Sequence, residues 1–158
     1  MTDRTHRAAR TPALHVPWYV PLFGPVARFL LRAGVPLGFN RLVTIRGRKS
    51  GVDRTTPIAV IEISGRRWIW APWGEVQWVR NLRAAGRATI EMRGRQEAVT
   101  ATELDPEERI RFFRDVLGPF ARSMRGGVMF IRLADGVDLN RPLEAAEGRP
   151  VFELHPAP

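Results

Sequence analysis

The chain has no cysteine, and its three histidines, His6, His15 and His155, lie near its two ends. The absence of cysteine excludes disulfide bonds, thiolate metal sites and thiol catalysis. Because the central part of the sequence has no histidine, we predict neither a metal site nor a Ser-His-Asp triad. If the protein is an enzyme, these absences favour chemistry supplied by a bound cofactor.

Long unbroken hydrophobic runs are also missing. The most apolar region, residues 16–39, contains four prolines and two arginines, and a stretch broken in this way is unsuited to span a bilayer. The first 11 residues are polar and basic, without the apolar segment of a signal peptide. We therefore expect a cytoplasmic protein with a basic, mobile tail over residues 1–15 and a single domain over residues 16–158.

Basic charge is what the sequence has in excess. Lysine and arginine number 25 against 16 acidic residues, which gives a formal net charge of +9. Such an excess favours anionic partners: nucleic acid, a phosphorylated cofactor or an anionic membrane surface. Nucleic acid is disfavoured, because the basic residues form neither a continuous basic helix nor an aromatic-studded sheet pattern.

Alternating apolar and β-branched residues predict most of the strands. We expect strands at residues 41–47, 55–63, 67–71, 88–94, 97–104 and 150–156. Because hairpins dominate, the sheet should be mainly antiparallel, and the fold should be α+β, a small barrel with flanking helices. A doubly wound parallel sheet is disfavoured because strand–helix alternation is not sustained. The stretch 121–149 is ambiguous.

Helical spacing in residues 24–34 predicts the first helix. Its apolar residues share one face: Val26, Phe29, Leu30 and Ala33. We expect this face to cover the core, with Arg28 and Arg32 as a basic stripe beside it. The alternative is a helix that lies on an anionic membrane, with Trp18, Tyr19 and Phe23 as interfacial anchors.

Two further helices are predicted with their ends. Residues 75–86 have helical spacing, and Gly86 suits the position just after a helix. At the start of the other helix, Asp105, Pro106 and Glu108 supply an N-cap, an N1 proline and an N3 acid. That helix is expected to run to about Leu117.

The stretch TIRGRKSGVDRTTP, residues 44–57, holds four basic side chains around two glycines. It is not a Walker A loop, because Arg48 rather than glycine precedes Lys49. The stretch nevertheless supplies donors of the kind that bind anions: the Ser50 hydroxyl and the charged side chains of Arg48, Lys49 and Arg54. The alternative is a basic hairpin tip in solvent.

Four of the five tryptophans, Trp68, Trp70, Trp73 and Trp78, lie within eleven residues. Indole groups cluster in this way in a large core and also around a flat conjugated ligand. Asn81 follows within the predicted helix, where asparagine is slightly unfavourable. Its amide is therefore a candidate ligand-binding group.

Together these motifs resemble the deazaflavin-dependent nitroreductase family, split-β-barrel flavin/deazaflavin oxidoreductases that bind coenzyme F-420. The segments TIRGRKSGVDRTTPIAV, WAPWGEVQWVRNLRAAGRATIEM and RPVFEL carry the resemblance, which covers residues 41–104 and the closing strand. It implies a mainly antiparallel split β-barrel of the FMN-binding type. It also implies an oxidoreductase that transfers a hydride from reduced F-420 to a quinone, an activated alkene or a nitro compound.

The resemblance also implies a set of cofactor-binding residues. Arg48, Lys49 and Ser50 correspond to the grip on the phosphate and acidic glutamate tail, and residues 54–59 to the strand under the deazaflavin. The full set is Arg48, Lys49, Ser50, Arg54, Thr55, Thr56, Pro57, Ile58, Ala59, Trp70, Ala71, Pro72, Trp73, Gln77, Trp78, Arg80 and Asn81. No catalytic residue and no metal ligand is implied.

Two other functions are compatible with the sequence. One is a non-catalytic split-barrel protein that binds the cofactor, a fatty acid or another lipid. The other is a relative that uses FMN. Neither the oligomeric state, monomer or homodimer, nor the acceptor follows from the sequence.

Overall fold

The computed structural model describes residues 20–35 and 37–158. Its strands are β1 (Asn40–Arg46), β2 (Asp53–Ala59), β3 (Ile61–Ile63), β4 (Arg66–Trp70), β5 (Arg87–Met92), β6 (Arg95–Glu103) and β7 (Val151–Pro156). They form one seven-stranded sheet in the order β2-β1-β5-β6-β7-β4-β3, and every pairing is antiparallel. The predicted α+β fold with a mainly antiparallel sheet is confirmed.

The sheet curls into a barrel because one stretch of chain supplies both of its ends. β2 and β3 occupy opposite ends of the strand order, yet only Val60 separates them. The backbone N–H of Val60 donates to the Phe39 carbonyl at 2.9 Å, and at this residue the chain leaves β1 and begins to pair with β4. The single strand predicted over 55–63 is therefore two strands with different neighbours.

One helix precedes β1, one lies between β4 and β5, and the others lie between β6 and β7. They are α1 (Val20–Arg32), α2 (Gln77–Ala85), α3 (Pro106–Arg111), α4 (Gly118–Ser123), α5 (Gly127–Asp135) and α6 (Pro142–Ala146), with a π-helical segment (Phe112–Leu117) between α3 and α4. The predicted capping box is present, since the Glu108 backbone N–H donates to Asp105 Oδ1 at 2.8 Å. Gly86 ends α2 with a φ of 65°, as predicted.

Two apolar clusters make up the core. The first fills the barrel, where side chains such as Ile69, Val79 and Phe152 are buried. The second lies on the other face of the sheet, where Trp68 and Trp70 pack against Phe112 of the π-helical segment. Alternation along β4 explains the division, because successive strand residues point to opposite faces.

Helix α1 is rotated from the orientation that the sequence predicted, since three of the four expected core-facing residues are exposed and only Leu30 is half-buried. Val26 and Phe29 are 55% and 72% exposed, so the prediction that their face covers the core is wrong. Arg28 instead is partly buried and donates to the Thr55 carbonyl at 3.4 Å. β2 has no strand neighbour on this side, and its free carbonyl accepts a hydrogen bond that an apolar side chain has no means to supply.

The tail over residues 1–15 and the anchors Trp18 and Tyr19 lie outside the described residues, as does the side chain of Phe23. Within residues 20–35 and 37–158, no helix has both the length and the hydrophobicity needed to cross a bilayer.

Candidate functional site

An open groove of about 980 Å³ lies between α1, β2, α2 and the loop over residues 47–52. Its lining residues are Arg28, Arg32, Ile45, Gly47, Arg48, Lys49, Ser50, Asp53, Arg54, Thr55, Thr56, Gln77, Trp78, Arg80 and Asn81. The groove therefore brings together two stretches that are about thirty residues apart in the chain, the basic loop and α2, because β1 packs against both.

The loop over residues 47–52 is held by its own backbone. Gly47 N–H donates to the Val52 carbonyl at 2.9 Å, and Gly51 N–H donates to the Gly47 carbonyl at 2.8 Å. A Cβ on Gly47 would lie 2.9 Å from the Val52 oxygen, so the tight turn itself requires this glycine. The backbone N–H groups of Lys49 and Ser50 donate to no acceptor in the described part of the chain. They remain available to an anion.

Asn81 connects α2 to the basic loop. Its side chain is 8% exposed, and its Oδ1 accepts hydrogen bonds from the Arg48 backbone N–H at 3.3 Å and from Arg48 Nη1 at 2.9 Å. Gln77 Oε1 accepts a further bond from Arg48 Nη1 at 3.0 Å. Because both acceptors are neutral amides, they orient the guanidinium without cancelling its charge.

The electrostatics of the groove are one-sided. Six of its lining side chains are basic, namely Arg28, Arg32, Arg48, Lys49, Arg54 and Arg80, and a single one, Asp53, is acidic. Among the residues that the structure describes, none of these six cations forms an ion pair with a carboxylate. Close like charges repel one another, and a polyanionic ligand would relieve that repulsion.

One part of the groove is flat and less polar. Trp78 lines it and packs against Phe152 of the barrel core, with ring centroids 6.2 Å apart. Ile45 and Thr56 contribute neighbouring surface. An indole held in place from behind is a rigid surface on which a conjugated ring can stack.

The groove contains part of the predicted cofactor-binding set. Ten of the predicted residues line it: Arg48, Lys49, Ser50, Arg54, Thr55, Thr56, Gln77, Trp78, Arg80 and Asn81. Seven do not: Pro57, Ile58, Ala59, Trp70, Ala71, Pro72 and Trp73. Ile58 and Ala71 are buried in the barrel cluster, and Trp70 is buried in the second cluster.

A buried arginine links the turn that follows β4 to α6, outside the groove. Arg149 is 8% exposed; its Nε donates to the Pro72 carbonyl at 2.9 Å, and its Nη1 donates to the Glu144 and Ala145 carbonyls at 3.2 Å. Burial raises the pKa of the neighbouring Asp135 to about 6, although the positive charge of Arg149 acts in the opposite direction. This cluster ties the turn to α6.

Sequence reasoning missed five lining residues: Arg28, Arg32, Ile45, Gly47 and Asp53. The sequence did contain a signal that Arg28 and Arg32 act together. They are four residues apart and therefore form one stripe on a helix. The sequence alone left open whether that stripe or the apolar stripe beside it faces the barrel.

The model of the F420H(2)-dependent quinone reductase family matches residues 28–122, a range that contains the groove. The chain belongs to this family. The match confirms the predicted relationship to F-420-dependent split-barrel reductases. The family description names a quinone reductase. No curated protein matches the chain.

Two solved structures show the same fold. One, titled as an F420-H2 dependent reductase, has a TM-score of 0.51 and 21% sequence identity, and the match covers 74% of this chain and 94% of that one. The other, titled as a domain-swapped dimer, has a TM-score of 0.51 and 21% identity, covering 83% of this chain and 94% of that one. These likenesses extend the split-barrel assignment to most of the chain.

As a member of this quinone reductase family, the protein is an F-420-dependent reductase, and the groove fits that cofactor. F-420 combines a flat tricyclic ring with a phosphate and several carboxylates. The groove combines the Trp78 surface, backbone N–H groups at 49–50 and six cations, and within the described residues none of these groups has an anionic partner. When bound, reduced F-420 supplies a hydride, which the side chains of the groove do not provide.

Proposed function

We propose that the protein reduces a quinone with reduced F-420 and that this reaction takes place in the cationic groove. The observation that carries the proposal is that six basic side chains and one acidic side chain of the described residues line one groove, and that none of the six forms an ion pair with a described carboxylate. FMN, the alternative cofactor, bears a single phosphate and no carboxylate tail, so it would leave most of these cations uncompensated. The family description supports a quinone as acceptor.

In this proposal the residues bind and orient the cofactor. Lys49, Ser50 and Arg54 take its phosphate, and Arg48 is held in position by Asn81 and Gln77. Trp78 supplies a flat surface for the ring. The open side of the groove leaves space for an acceptor above that ring, so catalysis rests on positioning.

Proton transfer needs no strong acid from the protein. A hydride and one proton convert a quinone into a hydroquinone, and a bound water or a groove hydroxyl is sufficient to deliver the proton to an oxygen of good basicity. The groove contains the hydroxyls of Ser50, Thr55 and Thr56, and none of its lining residues in the described part of the chain is a histidine or a tyrosine. We therefore assign no catalytic residue.

The first experiment measures binding and turnover separately. Titration with F-420 should quench tryptophan fluorescence in a saturable manner, because Trp78 lines the groove. Mixing the reduced complex with a short-chain quinone should then restore the absorbance of oxidised F-420 over repeated turnovers. Saturable binding without oxidation across quinones, activated alkenes and nitro compounds would instead support a non-catalytic carrier.

A second part of the proposal concerns peripheral membrane contact through α1. The outward face of α1 exposes Val26 and Phe29, and the net charge of the chain is +9. An apolar helix face on a basic protein suits an anionic bilayer surface. Flotation with anionic vesicles should recover the protein, and Phe29→Ser should reduce the recovered fraction; equal recovery of both proteins, or of neither, would contradict the proposal.

A further inference from the structure

The orientation of α1 is unfavourable by hydrophobicity alone. Phe29 is 72% exposed, although burial of a large apolar side chain normally stabilises a protein. The helix instead turns Arg28 and Arg32 into the groove. Leu30 and Leu31 are half-buried beside these arginines, so α1 keeps some apolar packing. The placement of two cations at the groove in preference to Phe29 is better explained by a ligand than by core packing.

Arg28 and Arg32 also have no anionic partner of their own. The only hydrogen bond from either side chain to the described residues joins Arg28 Nη1 to the Thr55 carbonyl at 3.4 Å, which is a long contact. Neither side chain lies within ion-pair distance of a carboxylate in the described part of the chain. Their guanidinium donors are therefore largely free on the groove side.

The groove thus has two separate cationic walls. The first is the loop over residues 47–52, whose free backbone N–H groups and Lys49 suit a compact anion such as a phosphate. The second is α1, whose two arginines project from successive turns of one helix, about 6 Å apart along its axis. Such spacing suits two carboxylates on an extended chain, because each guanidinium can bind one of them.

We propose that Arg28 and Arg32 are specificity-determining residues that bind the carboxylates of the cofactor's acidic tail. The proposal rests on the F-420 site described above and deepens it. The loop over residues 47–52 then recognises the part that every F-420 molecule shares, whereas α1 recognises the number of glutamates. The structure therefore assigns a preference for long-tailed over short-tailed F-420 to α1.

The test compares F-420 that carries a single glutamate with F-420 that carries several. Binding of each is measured by tryptophan quenching for the wild-type chain, for Arg28→Gln/Arg32→Gln and for Arg111→Gln/Arg125→Gln. The last variant removes the same charge from exposed arginines outside the groove. Lys49→Gln serves as the variant of the other wall.

We expect the wild-type chain to bind the long-tailed cofactor more tightly. The double variant of α1 should lose about tenfold in affinity for the long tail and less than about twofold for the short tail, a selective loss that corresponds to about 1.4 kcal/mol. Lys49→Gln should weaken both by the same factor. The control double variant should bind both cofactors as the wild-type chain does.

Two results would overturn the inference in different ways. If the α1 variant binds both cofactors as tightly as the wild-type chain, or loses the same factor for both, α1 does not recognise the tail, although the F-420 site itself stands. If the wild-type chain binds neither cofactor, the proposed function fails as well. Matching thermal unfolding of the α1 variant and the wild-type chain excludes misfolding as the cause of a loss.

Discussion

Arg48 in the groove and two arginines on the outside of the barrel, Arg66 and Arg67, differ in the charge of their hydrogen-bond partners. Outside, Arg66 forms two hydrogen bonds with Glu153, at 2.7 and 2.9 Å, and Arg67 forms two with Glu97, both at 2.7 Å. In the groove, Arg48 is bound by two neutral amides. The charges of Arg66 and Arg67 are therefore compensated by carboxylates, whereas the charge of Arg48 is not compensated by its partners.

The difference shows that the excess charge of the sequence is not spread evenly. Exposed ion pairs contribute little to the free energy of unfolding, about 0–1 kcal/mol each. The outer pairs therefore neutralise surface charge more than they stabilise the fold. The groove keeps its positive charges at a cost in repulsion. Uncompensated cations gathered on one concave surface are typical of a site for an anionic ligand.

The largest expected effect comes from reversing a groove charge. Lys49→Glu should lower the affinity for F-420 by about 100-fold, which corresponds to about 2.7 kcal/mol of binding free energy. The reason is that the variant replaces an attraction to the ligand's anionic groups by a repulsion. Tryptophan quenching measures the affinity. Thermal unfolding should change little, since Lys49 is exposed and unpaired in the described structure.

The control for this prediction is Arg95→Glu, which makes the same charge change at an exposed residue outside the groove. Its affinity for F-420 should stay within about twofold of the wild-type value, since surface charges farther away than a Debye length of ~8 Å are screened. Equal losses in Lys49→Glu and Arg95→Glu would mean that net charge, and not the groove, governs binding.

The next prediction converts a groove cation into a paired one. Asn81→Asp places a carboxylate where Oδ1 already accepts two hydrogen bonds from Arg48. Arg48 then forms an ion pair, as Arg66 and Arg67 do. We expect F-420 affinity to fall about tenfold, while the fold tolerates the change because the new charge is hydrogen-bonded. Asn140→Asp, at an exposed asparagine outside the groove, should leave binding unchanged; unchanged binding in Asn81→Asp would show that the free charge of Arg48 is not used.

Asp135 is an intermediate case, a half-buried carboxylate near the buried Arg149 but without a hydrogen bond to it. Burial raises its pKa to about 6. The native state therefore holds the proton more tightly than the unfolded state does, and this contribution to stability is present at low pH and lost as the pH rises through about 6. Asp135→Asn should be more stable than the wild-type chain by about 1 kcal/mol at neutral pH and equally stable near pH ~4.

Urea unfolding of both proteins across this pH range measures that difference. A variant that is less stable than the wild-type chain at neutral pH would show that the attraction between Asp135 and Arg149 outweighs the cost of burying the carboxylate.

The smallest effect is expected from removing an outer carboxylate. Arg83 lowers the pKa of Glu103 through their hydrogen bonds, so this pair stabilises the fold above the unfolded-state pKa and its contribution is lost as the pH falls through the lowered value. Glu103→Gln should destabilise the protein by less than about 1 kcal/mol at neutral pH, and the loss should disappear in acid. Thermal unfolding checks it, and F-420 affinity should not change; a loss of affinity would contradict the separation of the two regions.

Local patterns were sufficient to predict most of the elements. Alternation located the strands, and Asp105 and Gly86 marked helix ends because capping depends on a few neighbouring residues. The break at Val60 was not predictable, because nothing in the alternation of 55–63 shows that the chain exchanges one strand neighbour for another there. The stretch 121–149 stayed ambiguous because its three short helices are stabilised by packing, not by strong local periodicity.

The site was predictable in its loop and in α2 and less so elsewhere. Lys49 and Asn81 lie in motifs that the resemblance could align. The resemblance placed Trp70 among the cofactor-binding residues, whereas its indole lies in the core beside Phe112. Residue type could not decide between the two, because an aromatic side chain suits both places.

The sequence by itself determined that the protein carries a large basic excess, has no thiol and no central histidine, and folds around antiparallel hairpins. These properties follow from composition and short-range pattern. Only the tertiary structure decided which cations share a groove, and which face of α1 meets the barrel. Those outcomes depend on contacts between residues far apart in the chain, such as Arg28 with Thr55 and Arg48 with Asn81, and on the free edge of β2, which exists only once the sheet has formed.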